Sequence, residues 1–327
     1  MDNFWQKLPK PIFALAPMEN VTDTVFRRII ISCGRPSVVF TEFTNVDGLF
    51  SRGSEIVNKR LIFTKEESPI VAQIWGVNPE NYFKAAKLIK EKGFQGIDIN
   101  MGCPDRSVIK KGVCSALINN RSLAKEIIEA TKEGAENLPV SVKTRIGFQN
   151  IITEDWIGFL LEQDLACITI HARTVKELSK VPAHWDEIKK AVKLKDNINP
   201  KTIIIGNGDI GSYEEAIKKI NLYEVDGVMI GRGVFHDPWI FNPSHHGADV
   251  TFDEKIKKFK EHIELFEKTW GEEKPFHEMK KLFKCYINGI KNATIIRNRL
   301  IKLSTSNDLK SELQKLQAEF LLGKNIT

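Results

Sequence analysis

Long apolar stretches are missing from this chain of 327 residues. No segment approaches the run of about 20 apolar residues that spans a lipid bilayer. The opening residues, MDNFWQKLPKPIF, also lack the apolar stretch of a secretory signal peptide. These absences argue against a membrane protein and against export through such a signal. We therefore expect a cytoplasmic protein without a membrane partner.

Cysteine is scarce, and none of the five cysteines falls in a CxxC or Cys/His spacing typical of a zinc or iron–sulfur site. We therefore predict no metal. Free thiols are common in reducing compartments, so Cys33, Cys114, Cys167 and Cys285 are expected to be inert, although Cys114 is a candidate for redox sensitivity. A GxGxxG turn after the first predicted strand is absent too, which argues against a dinucleotide-binding fold.

Eight short apolar runs rich in Val and Ile precede residue 232. Segments of helical periodicity separate most of them, and strands that alternate with helices imply a parallel sheet. Eight such strands predict a (β/α)8 TIM barrel, with an open doubly wound sheet as the alternative. The predicted strands are Ile12–Ala16, Ser37–Glu42, Pro69–Trp75, Gly96–Asn100, Pro139–Arg145, Ala166–His171, Thr202–Gly206 and Asp226–Gly231.

Polar residues are concentrated at the C-terminal ends of these strands, where barrel active sites lie. Alternation along a strand places Ser141, Lys143 and Arg145 on one face, and the same holds for Thr169 and His171. We therefore expect these side chains to converge on the barrel mouth. Cys103 stands there on a Gly-Cys-Pro corner that follows Asn100, which indicates chemistry rather than packing.

The last two strand ends are rich in glycine and read IIIGNGDIGSYEEA and VMIGRGVFHDP. Barrels often bind phosphate at this place, because exposed backbone N–H groups and a helix N-terminus suit an anion. Simple tight turns are the alternative. With Gln73 offering an amide, Lys143 a charge and Ala16-Pro17-Met18 a flat apolar contact, flavin mononucleotide (FMN) fits this set of strand ends.

Several motifs occur together in this order and spacing, and they resemble the dihydrouridine synthase family, flavoenzymes that reduce uridines in tRNA. The resemblance runs from about Ile12 to Phe241. The motifs are APMENVTDTVFR, PIVAQIWG, IDINMGCPDR with KKGVCSALI, PVSVKTRIG, ITIHART, IIIGNGDI and DGVMIGRGVFHDPWIF.

The resemblance implies a flavin-binding barrel followed by a smaller helical domain that helps to hold RNA, with NADPH as electron donor. It implies Cys103 as the proton donor and suggests Asn100 and Arg145 as contacts to a flipped uracil, and Arg173 is predicted to bind substrate as well. The implied FMN contacts are Ala16, Pro17, Met18, Gln73, Lys143, His171, Asn207, Gly208, Asp209, Gly231 and Arg232.

A thiol suits the implied role of Cys103, because an ordinary pKa of about 8.5 leaves it protonated at neutral pH. A nucleophilic cysteine would need a lowered pKa and a neighbouring base. Asp105 is the one titratable neighbour of that kind in the GCPDR corner, and its charge would raise the pKa instead. The other six histidines, unlike His171, are expected on the surface or in loops.

The strand pattern stops near residue 245, which predicts a barrel domain at 1–245 and a helical RNA-binding domain at 246–327. Helices are expected at Asp253–Trp270, Phe276–Ile290 and Asp308–Leu322. Residues 251–327 hold 16 Lys and Arg against 11 Asp and Glu, so they carry +5 of the net charge of +6. A basic segment of this kind favours a polyanion partner. Arg297 and Arg299 are the predicted RNA contacts, with Lys302 beside them.

The predicted function is the FMN-dependent reduction of the C5–C6 double bond of uridines in tRNA, with rRNA as the alternative substrate, by a monomer. A small-molecule FMN oxidoreductase of the dihydroorotate dehydrogenase type is the second hypothesis, against which the basic tail and the GCP corner argue. A catalytically silent RNA-binding or chaperone-like module is the third. The complete set of polar strand ends, with Cys103, Lys143 and His171 together, argues against it.

Overall fold

The structure is a computed structural model that describes residues 3–321. Its strands are β1 (Ile12–Leu15), β2 (Val39–Phe40), β3 (Thr44–Asn45), β4 (Ile70–Trp75), β5 (Gly96–Met101), β6 (Val140–Arg145), β7 (Cys167–His171), β8 (Ile203–Asn207) and β9 (Gly227–Ile230). Its α-helices are α1 (Phe4–Lys7), α2 (Thr24–Cys33), α3 (Val46–Leu49), α4 (Ser54–Asn58), α5 (Pro79–Glu91), α6 (Arg106–Ile109), α7 (Arg121–Ala135), α8 (Thr153–Leu161), α9 (Trp185–Ile198), α10 (Tyr213–Tyr223), α11 (Phe252–Trp270), α12 (Ala293–Ile301) and α13 (Ser306–Leu321). Short 3-10 helices cover Lys59–Leu61, Lys65–Glu67, Cys114–Asn119, Arg232–Phe235, Gly247–Asp249 and Phe276–Cys285. None of the helices within residues 3–321 is long and apolar enough to cross a membrane.

The strands form one parallel sheet in the order β1-β9-β8-β7-β6-β5-β4-β2, and the short strand β3 pairs with β4. The ring closes between β1 and β2. There, a bridge joins Ala14 to Val38, and the N–H of Leu15 donates to the carbonyl of Val38 at 3.1 Å. The predicted (β/α)8 barrel with helices after it is therefore confirmed, and closure excludes the open doubly wound sheet.

The interior of the barrel is apolar near the N-terminal ends of the strands. Inward-facing residues from several strands, among them Ile12, Val71, Ile203 and Met229, pack with Trp5 of α1, which is 1% exposed. Each aliphatic side chain buried in this way contributes about 1.5–3 kcal/mol. This apolar packing stabilises the barrel at that end, so the C-terminal ends of the strands can carry polar side chains.

The interior near the C-terminal ends of the strands is polar. Its side chains lie in rows that the strand register sets. One row aligns Gln73, Asp98 and Ser141 of β4, β5 and β6. In the next row Asn100 lies opposite Lys143, and above it Arg145 of β6 lies opposite His171 of β7. The fold therefore brings residues from distant parts of the sequence to one end of the barrel.

The chain divides into two compact units. The barrel unit comprises Met1–Thr24, Pro36–Ile210 and Glu214–Gly231, and the helical unit comprises Val25–Arg35, Gly211–Tyr213 and Arg232–Thr327. These units differ in detail from the predicted boundary at 245/246, because residues 232–245 and most of α2 belong to the helical unit. The assignment of one domain to the cofactor and the other to RNA stays a prediction.

Helix α2 packs within the helical unit through its C-terminal end. The side-chain amide of Asn242 donates to the carbonyl of Cys33 at 3.4 Å, and Lys258 Nζ lies 3.2 Å from Ser32 Oγ. At Gly34 a Cβ atom would approach the backbone nitrogen of Asn242 to 2.6 Å. Only glycine permits this close approach of two backbone segments.

The helical unit departs from the predictions in three places, which are the helix predicted at 276–290, the additional helix α12 and the burial of His262. The predicted helix Phe276–Ile290 is a 3-10 helix that ends at Cys285. At its end the side-chain amide of Asn288 donates hydrogen bonds to the carbonyls of Lys284 and Cys285 at 2.8 and 3.1 Å. Helix α12 was not predicted, and Leu322, predicted to end the last helix, lies outside the described residues. His262 was expected on the surface but is buried in α11, with its Nδ1 2.7 Å from Tyr286 Oη.

Candidate active site

The Cys103 corner follows directly after β5. The side-chain oxygen of Asn100 accepts the N–H groups of Gly102 and Cys103 at 3.1 and 3.0 Å, and Ser115 Oγ donates to the carbonyl of Cys103 at 2.7 Å. The backbone of Cys103 is therefore held on both sides. Its side chain is half-buried, whereas the other four cysteines are buried.

Burial raises the pKa of the Cys103 thiol, and this effect outweighs the nearby Asp105 N–H and the positive charges of Arg145 and Lys143, which lower it. Asp105 itself caps helix α6, where its carboxylate accepts the N–H of Ser107 at 2.8 Å. The thiol is therefore protonated at neutral pH. Its surroundings suit an acid better than a nucleophile.

Arg145 is 5% exposed and forms no ion pair with any residue between 3 and 321. Its Nε donates to the carbonyl of Gly102 at 2.9 Å, and its Nη1 donates to the carbonyls of Thr174 and Leu178 at 3.0 and 3.2 Å. Burial lowers its pKa to about 10, so it stays charged at neutral pH. Because Nη2 has no hydrogen-bond partner in the described part of the chain, this buried cation can still bind a ligand oxygen.

Lys143 is half-buried, with its Nζ 3.3 Å from the side-chain oxygen of Asn207. Burial and the neighbouring charge of Arg145 lower the pKa of Lys143 to about 8. The barrel mouth thus holds two cations whose charge is costly without an anion or a polar ligand.

Arg173 and Asp209, both predicted from the sequence, are partners of each other. Arg173 forms an ion pair with Asp209, its Nε donates to the carbonyl of Val181 at 2.6 Å, and its Nη1 lies 3.3 Å from His171 Nε2. Its side chain is only 3% exposed. Arg173 therefore acts first as a support for the loops that follow β7 and β8.

The ends of β8 and β9 have the features of an anion site. Gly208 has a φ of +131°, which glycine adopts readily, and a Cβ there would lie 2.9 Å from that of Ala183. At Gly231 a Cβ would contact Ala16 at 3.5 Å and Met18 at 3.8 Å. The backbone N–H groups of Gly208 and Gly231 have no hydrogen-bond partner within residues 3–321. Two such groups on adjacent strands suit a phosphate.

Gln73 is fully buried and both ends of its amide are engaged. Its Nε2 donates to Asp98 at 2.7 Å, and its Oε1 accepts from Asn100 at 3.0 Å. The second N–H of that amide has no hydrogen-bond partner in the described part of the chain.

The predicted RNA contacts of the helical unit already have partners inside that unit. Arg297 donates to the carbonyl of Ile287 at 2.6 Å and to Thr294 Oγ1 at 2.9 Å. Arg299 forms an ion pair with Glu312 at 2.8 Å, whereas Lys302 is exposed. Arg232, a predicted FMN contact, starts a 3-10 helix of this unit. The described residues contain no cluster of three or more His, Cys, Asp or Glu that could hold a metal ion.

Comparison with known proteins decides the family. The family model described as dihydrouridine synthase matches residues 14–321, which is almost the whole chain. The chain belongs to the dihydrouridine synthase family. The resemblance expected from the strand-end motifs is therefore confirmed.

Curated members of this family match nearly the full length of the chain. A protein of Staphylococcus aureus (strain COL) named "Probable tRNA-dihydrouridine synthase" is 42% identical over 323 residues, which cover 97% of each chain. "Probable tRNA-dihydrouridine synthase 2" of Bacillus subtilis (strain 168) is 41% identical and covers 98% of this chain and 99% of its own. Among solved structures, an old yellow enzyme homologue from Zymomonas mobilis covers 69% of this chain and 86% of its own, with 14% identity and a TM-score of 0.45.

In this dihydrouridine synthase the motifs predicted most of the barrel-mouth residues, but two features were missed. Asp98 was not among the predicted site residues, although its carboxylate accepts a hydrogen bond from the amide of Gln73. Exposed Arg106, Lys110 and Lys111 follow Cys103 and have no ion-pair partner among residues 3–321. Their position in the sequence directly after the GCP corner was the available signal.

Proposed function

We propose that this protein reduces the C5–C6 double bond of uridines in tRNA to 5,6-dihydrouridine, using FMN and NADPH, with Cys103 as the proton donor. The observation that carries the proposal is the half-buried thiol of Cys103, whose pKa is raised by burial, on a fixed corner beside Arg145 and Lys143. The names of relatives that are 41–42% identical over nearly the full length support the reaction and its RNA substrate.

The residues at the strand ends fit FMN. The free N–H groups of Gly208 and Gly231 suit its phosphate, and the cationic Lys143 suits the electron-rich edge of its ring. Ala16, Pro17 and Met18 offer an apolar surface next to Gly231. We also propose Gln73, His171, Asn207, Asp209 and Arg232 as contacts, as the sequence suggested.

The chemistry at uracil requires a hydride at C6 and a proton at C5. When bound, FMN supplies the hydride that C6 accepts, with NADPH as the source of its electrons. Cys103 donates its proton to C5, and the nearby positive charges of Arg145 and Lys143 stabilise the thiolate that this leaves. Because the thiol is half-exposed, solvent can return the proton after product leaves.

Arg145 and Asn100 are proposed to hold the uracil. The Nη2 of Arg145 can donate to a carbonyl oxygen of the base, while its other nitrogens keep the Gly102 backbone in place. Asn100 uses its oxygen to hold Cys103 and retains one N–H for the substrate. Both residues thus couple the position of the base to that of the thiol.

The enzyme must grip the RNA backbone when it takes a base out of its stack. Arg106, Lys110 and Lys111 are suited to this, because they are exposed, follow Cys103 in sequence and have no carboxylate partner within residues 3–321. Lys111 lies 5.8 Å from the ring centre of Trp75, whose aromatic face can stack on a base. We propose that this cluster, called the loop cluster below, contacts phosphates beside the target uridine.

The test is mass spectrometry of tRNA and rRNA that lack dihydrouridine, after incubation with the flavin-loaded protein and NADPH. We expect a gain of about two daltons at mapped uridines and a loss of about 10²- to 10⁴-fold in rate with Cys103→Ala, as for removal of a general acid. Cys114→Ala is the matched control, because Cys114 is buried and burial raises its pKa.

Two outcomes would contradict the proposal. No gain on any RNA from flavin-loaded protein would favour the small-molecule reductase of the dihydroorotate dehydrogenase type. Modification at the normal rate by Cys103→Ala would keep the reaction but remove Cys103 as the acid.

A further inference from the structure

A chain of hydrogen bonds runs through the barrel from Asp98 to the Cys103 corner. Gln73 Nε2 donates to Asp98 Oδ2 at 2.7 Å, Asn100 Nδ2 donates to Gln73 Oε1 at 3.0 Å, and Asn100 Oδ1 accepts the N–H of Cys103 at 3.0 Å. Asp98 and Gln73 are 0% exposed, and Asn100 is 4% exposed. Nothing in the reaction proposed above uses Asp98.

The direction of this chain depends on its first member. A primary amide can turn by half a rotation and exchange its oxygen with its nitrogen, so Gln73 and Asn100 each fit two orientations of similar shape. An ionised carboxylate only accepts hydrogen bonds. Asp98 therefore forces the nitrogen of Gln73 toward itself, which turns the oxygen of Gln73 toward Asn100 and the oxygen of Asn100 toward Cys103.

The opposite direction would damage the corner. If Asn100 turned its amide, its NH₂ group would face the N–H groups of Gly102 and Cys103, which now donate to its oxygen at 3.1 and 3.0 Å. Donors would then face donors at a buried site, and the backbone N–H groups would lose their acceptor. The corner could not keep its present position.

We propose that Asp98 is a positioning residue that sets the direction of the Gln73–Asn100 amide chain and thereby holds Cys103 where it can protonate the substrate. The role of Cys103 in this statement rests on the proposed function, whereas the control of the corner by Asp98 does not. Asp98 touches neither substrate nor cofactor in this scheme.

The surroundings of Asp98 are consistent with a buried anion. Ser141 Oγ donates to its Oδ1 at 2.6 Å, and the charge of Lys143 on β6 favours the ionised form, as do the two hydrogen bonds. Cys167 of β7 is its other titratable neighbour. Burial has the largest effect in raising the pKa of the Cys167 thiol, and the nearby charge of Asp98 raises it further. Burial raises the pKa of Asp98 to about 6, so the carboxylate is ionised at neutral pH.

Two substitutions at Asp98 separate direction from charge. Asp98→Leu has a similar shape but removes the acceptor, so the amides lose the group that orients them. Asp98→Asn can keep its oxygen toward Gln73 if its NH₂ faces Ser141, because the hydroxyl of Ser141 also lies 3.3 Å from the carbonyl of Ile97 and can donate there. Asp98→Asn is therefore the conservative variant, and Ser141→Ala is the control that removes a bond to Asp98 outside the chain.

The first readout is the alkylation rate of Cys103 by iodoacetamide in the flavin-loaded protein, mapped by peptide mass spectrometry. Cys103 is suited to this because the other four cysteines are buried. We expect Asp98→Leu to raise the rate about threefold or more through loosening of the corner, while Asp98→Asn and Ser141→Ala stay near wild type. Turnover on RNA should fall about 10- to 100-fold in Asp98→Leu alone, as expected for a misplaced reacting group.

Thermal unfolding is measured on each variant to separate positioning from loss of fold. If Asp98→Leu does not fold, Gln73→Leu replaces it, because this change cuts the next link and leaves the Asp98–Ser141 pair intact; the same faster alkylation is then expected. Unchanged alkylation in a folded variant with the chain cut would overturn the proposal. Equal impairment of Asp98→Asn and Asp98→Leu would overturn it too, because charge and not direction would then matter. Since alkylation needs no RNA, absence of uridine reduction by the wild type would contradict the proposed function and leave this test intact.

Discussion

The barrel mouth and the helical unit both carry basic residues suited to RNA, but these residues differ in whether they pair with carboxylates. At the mouth, Arg145 and Lys111 have no carboxylate partner among residues 3–321. In the helical unit, Arg299 pairs with Glu312, and Lys310 pairs with Glu267 at 2.5 Å. The excess of positive charge is nevertheless in the C-terminal segment, at +5 of +6 for residues 251–327.

Net charge and available charge are therefore different quantities in this protein. A cation that already pairs with a carboxylate must give up or share that partner before it binds a phosphate. A cation without a partner gains the whole interaction. On this basis the mouth should contribute more to RNA binding and catalysis than its small share of the net charge suggests.

The largest effect is expected for Arg145→Leu at the mouth. The change removes a proposed uracil contact and leaves the carbonyls of Gly102, Thr174 and Leu178 without their donor. We expect kcat/KM on RNA to fall about 100-fold or more, because the base loses a charged hydrogen bond and the Gly102 backbone beside Cys103 loses its support; each tenfold loss corresponds to about 1.4 kcal/mol. Steady-state kinetics on unmodified tRNA measures it. Activity within threefold of wild type would contradict the conclusion that the unpaired cations at the mouth contribute most.

The loop cluster should have the next largest effect. Replacing Arg106, Lys110 and Lys111 by alanine should weaken RNA binding and lower the slope of log affinity against log salt by about 2–3 units, at about 0.7–0.9 for each lost phosphate contact. Filter binding at several salt concentrations measures this slope.

A charge-matched control for the loop cluster removes three lysines that have carboxylate partners on the outer helices of the barrel. Lys84, Lys125 and Lys189 lie 2.6, 3.7 and 3.6 Å from Glu80, Glu129 and Glu224. Replacing all three by alanine should leave the salt slope unchanged. Equal slopes for the two triple variants would mean that only total charge matters.

The pH dependence of the mouth sharpens the comparison further. Lys143, whose pKa is lowered to about 8, is charged below that pH and neutral above it. The charged or titratable groups that face it are Arg145, Asp98 and Cys103, and burial raises the pKa of the Cys103 thiol. We expect kcat/KM to fall about tenfold as pH rises from about 7 to about 9.

Lys143→Arg provides the check on this pH limb, because a guanidinium stays charged throughout the range. The fall in kcat/KM should then move to higher pH, whatever the absolute rate of the variant. If the fall in kcat/KM stays near pH 8 in Lys143→Arg, the titration of another group causes it.

The smallest effect is expected in the helical unit. Arg299→Leu should lower the free energy of unfolding by about 1 kcal/mol through loss of its ion pair with Glu312. It should change RNA affinity by less than about threefold. Glu312→Gln, which releases Arg299 from its partner, should instead raise affinity slightly. A large loss of affinity in Arg299→Leu with unchanged stability would favour the original prediction of a direct RNA contact.

The strand-end motifs predicted the barrel and the convergence of Lys143, His171 and Asn207, because parallel strands impose that convergence on any side chain at the right register. Two pairings were beyond the sequence. Arg173 and Asp209 lie 36 positions apart, and Gln73 and Asp98 lie 25 apart. Both were visible as polar residues, but only the strand register and the loop paths decide that they bind each other rather than a ligand.

The helical unit was harder to predict for a related reason. Helix α2 has its own apolar periodicity, yet its partners Asn242 and Lys258 lie 209 and 226 positions away from Cys33 and Ser32. No local pattern indicates such a partner. Helix α12 carries too weak a periodicity to be distinguished from the loop around it.

The assignment of α2 to the helical unit has a consequence for synthesis of the protein on the ribosome. Helix α2 leaves the ribosome before its partners in the helical unit, which follow about 200 residues later. At about 5–20 residues per second, this delay amounts to about 10–40 seconds. During that time the buried Phe26 lacks the rings of Phe235 and His262, whose centres finally lie 6.4 and 6.1 Å from its own. Helix α2 thus keeps exposed apolar surface until the helical unit has been synthesised, and exposed surface of this kind is what chaperones bind.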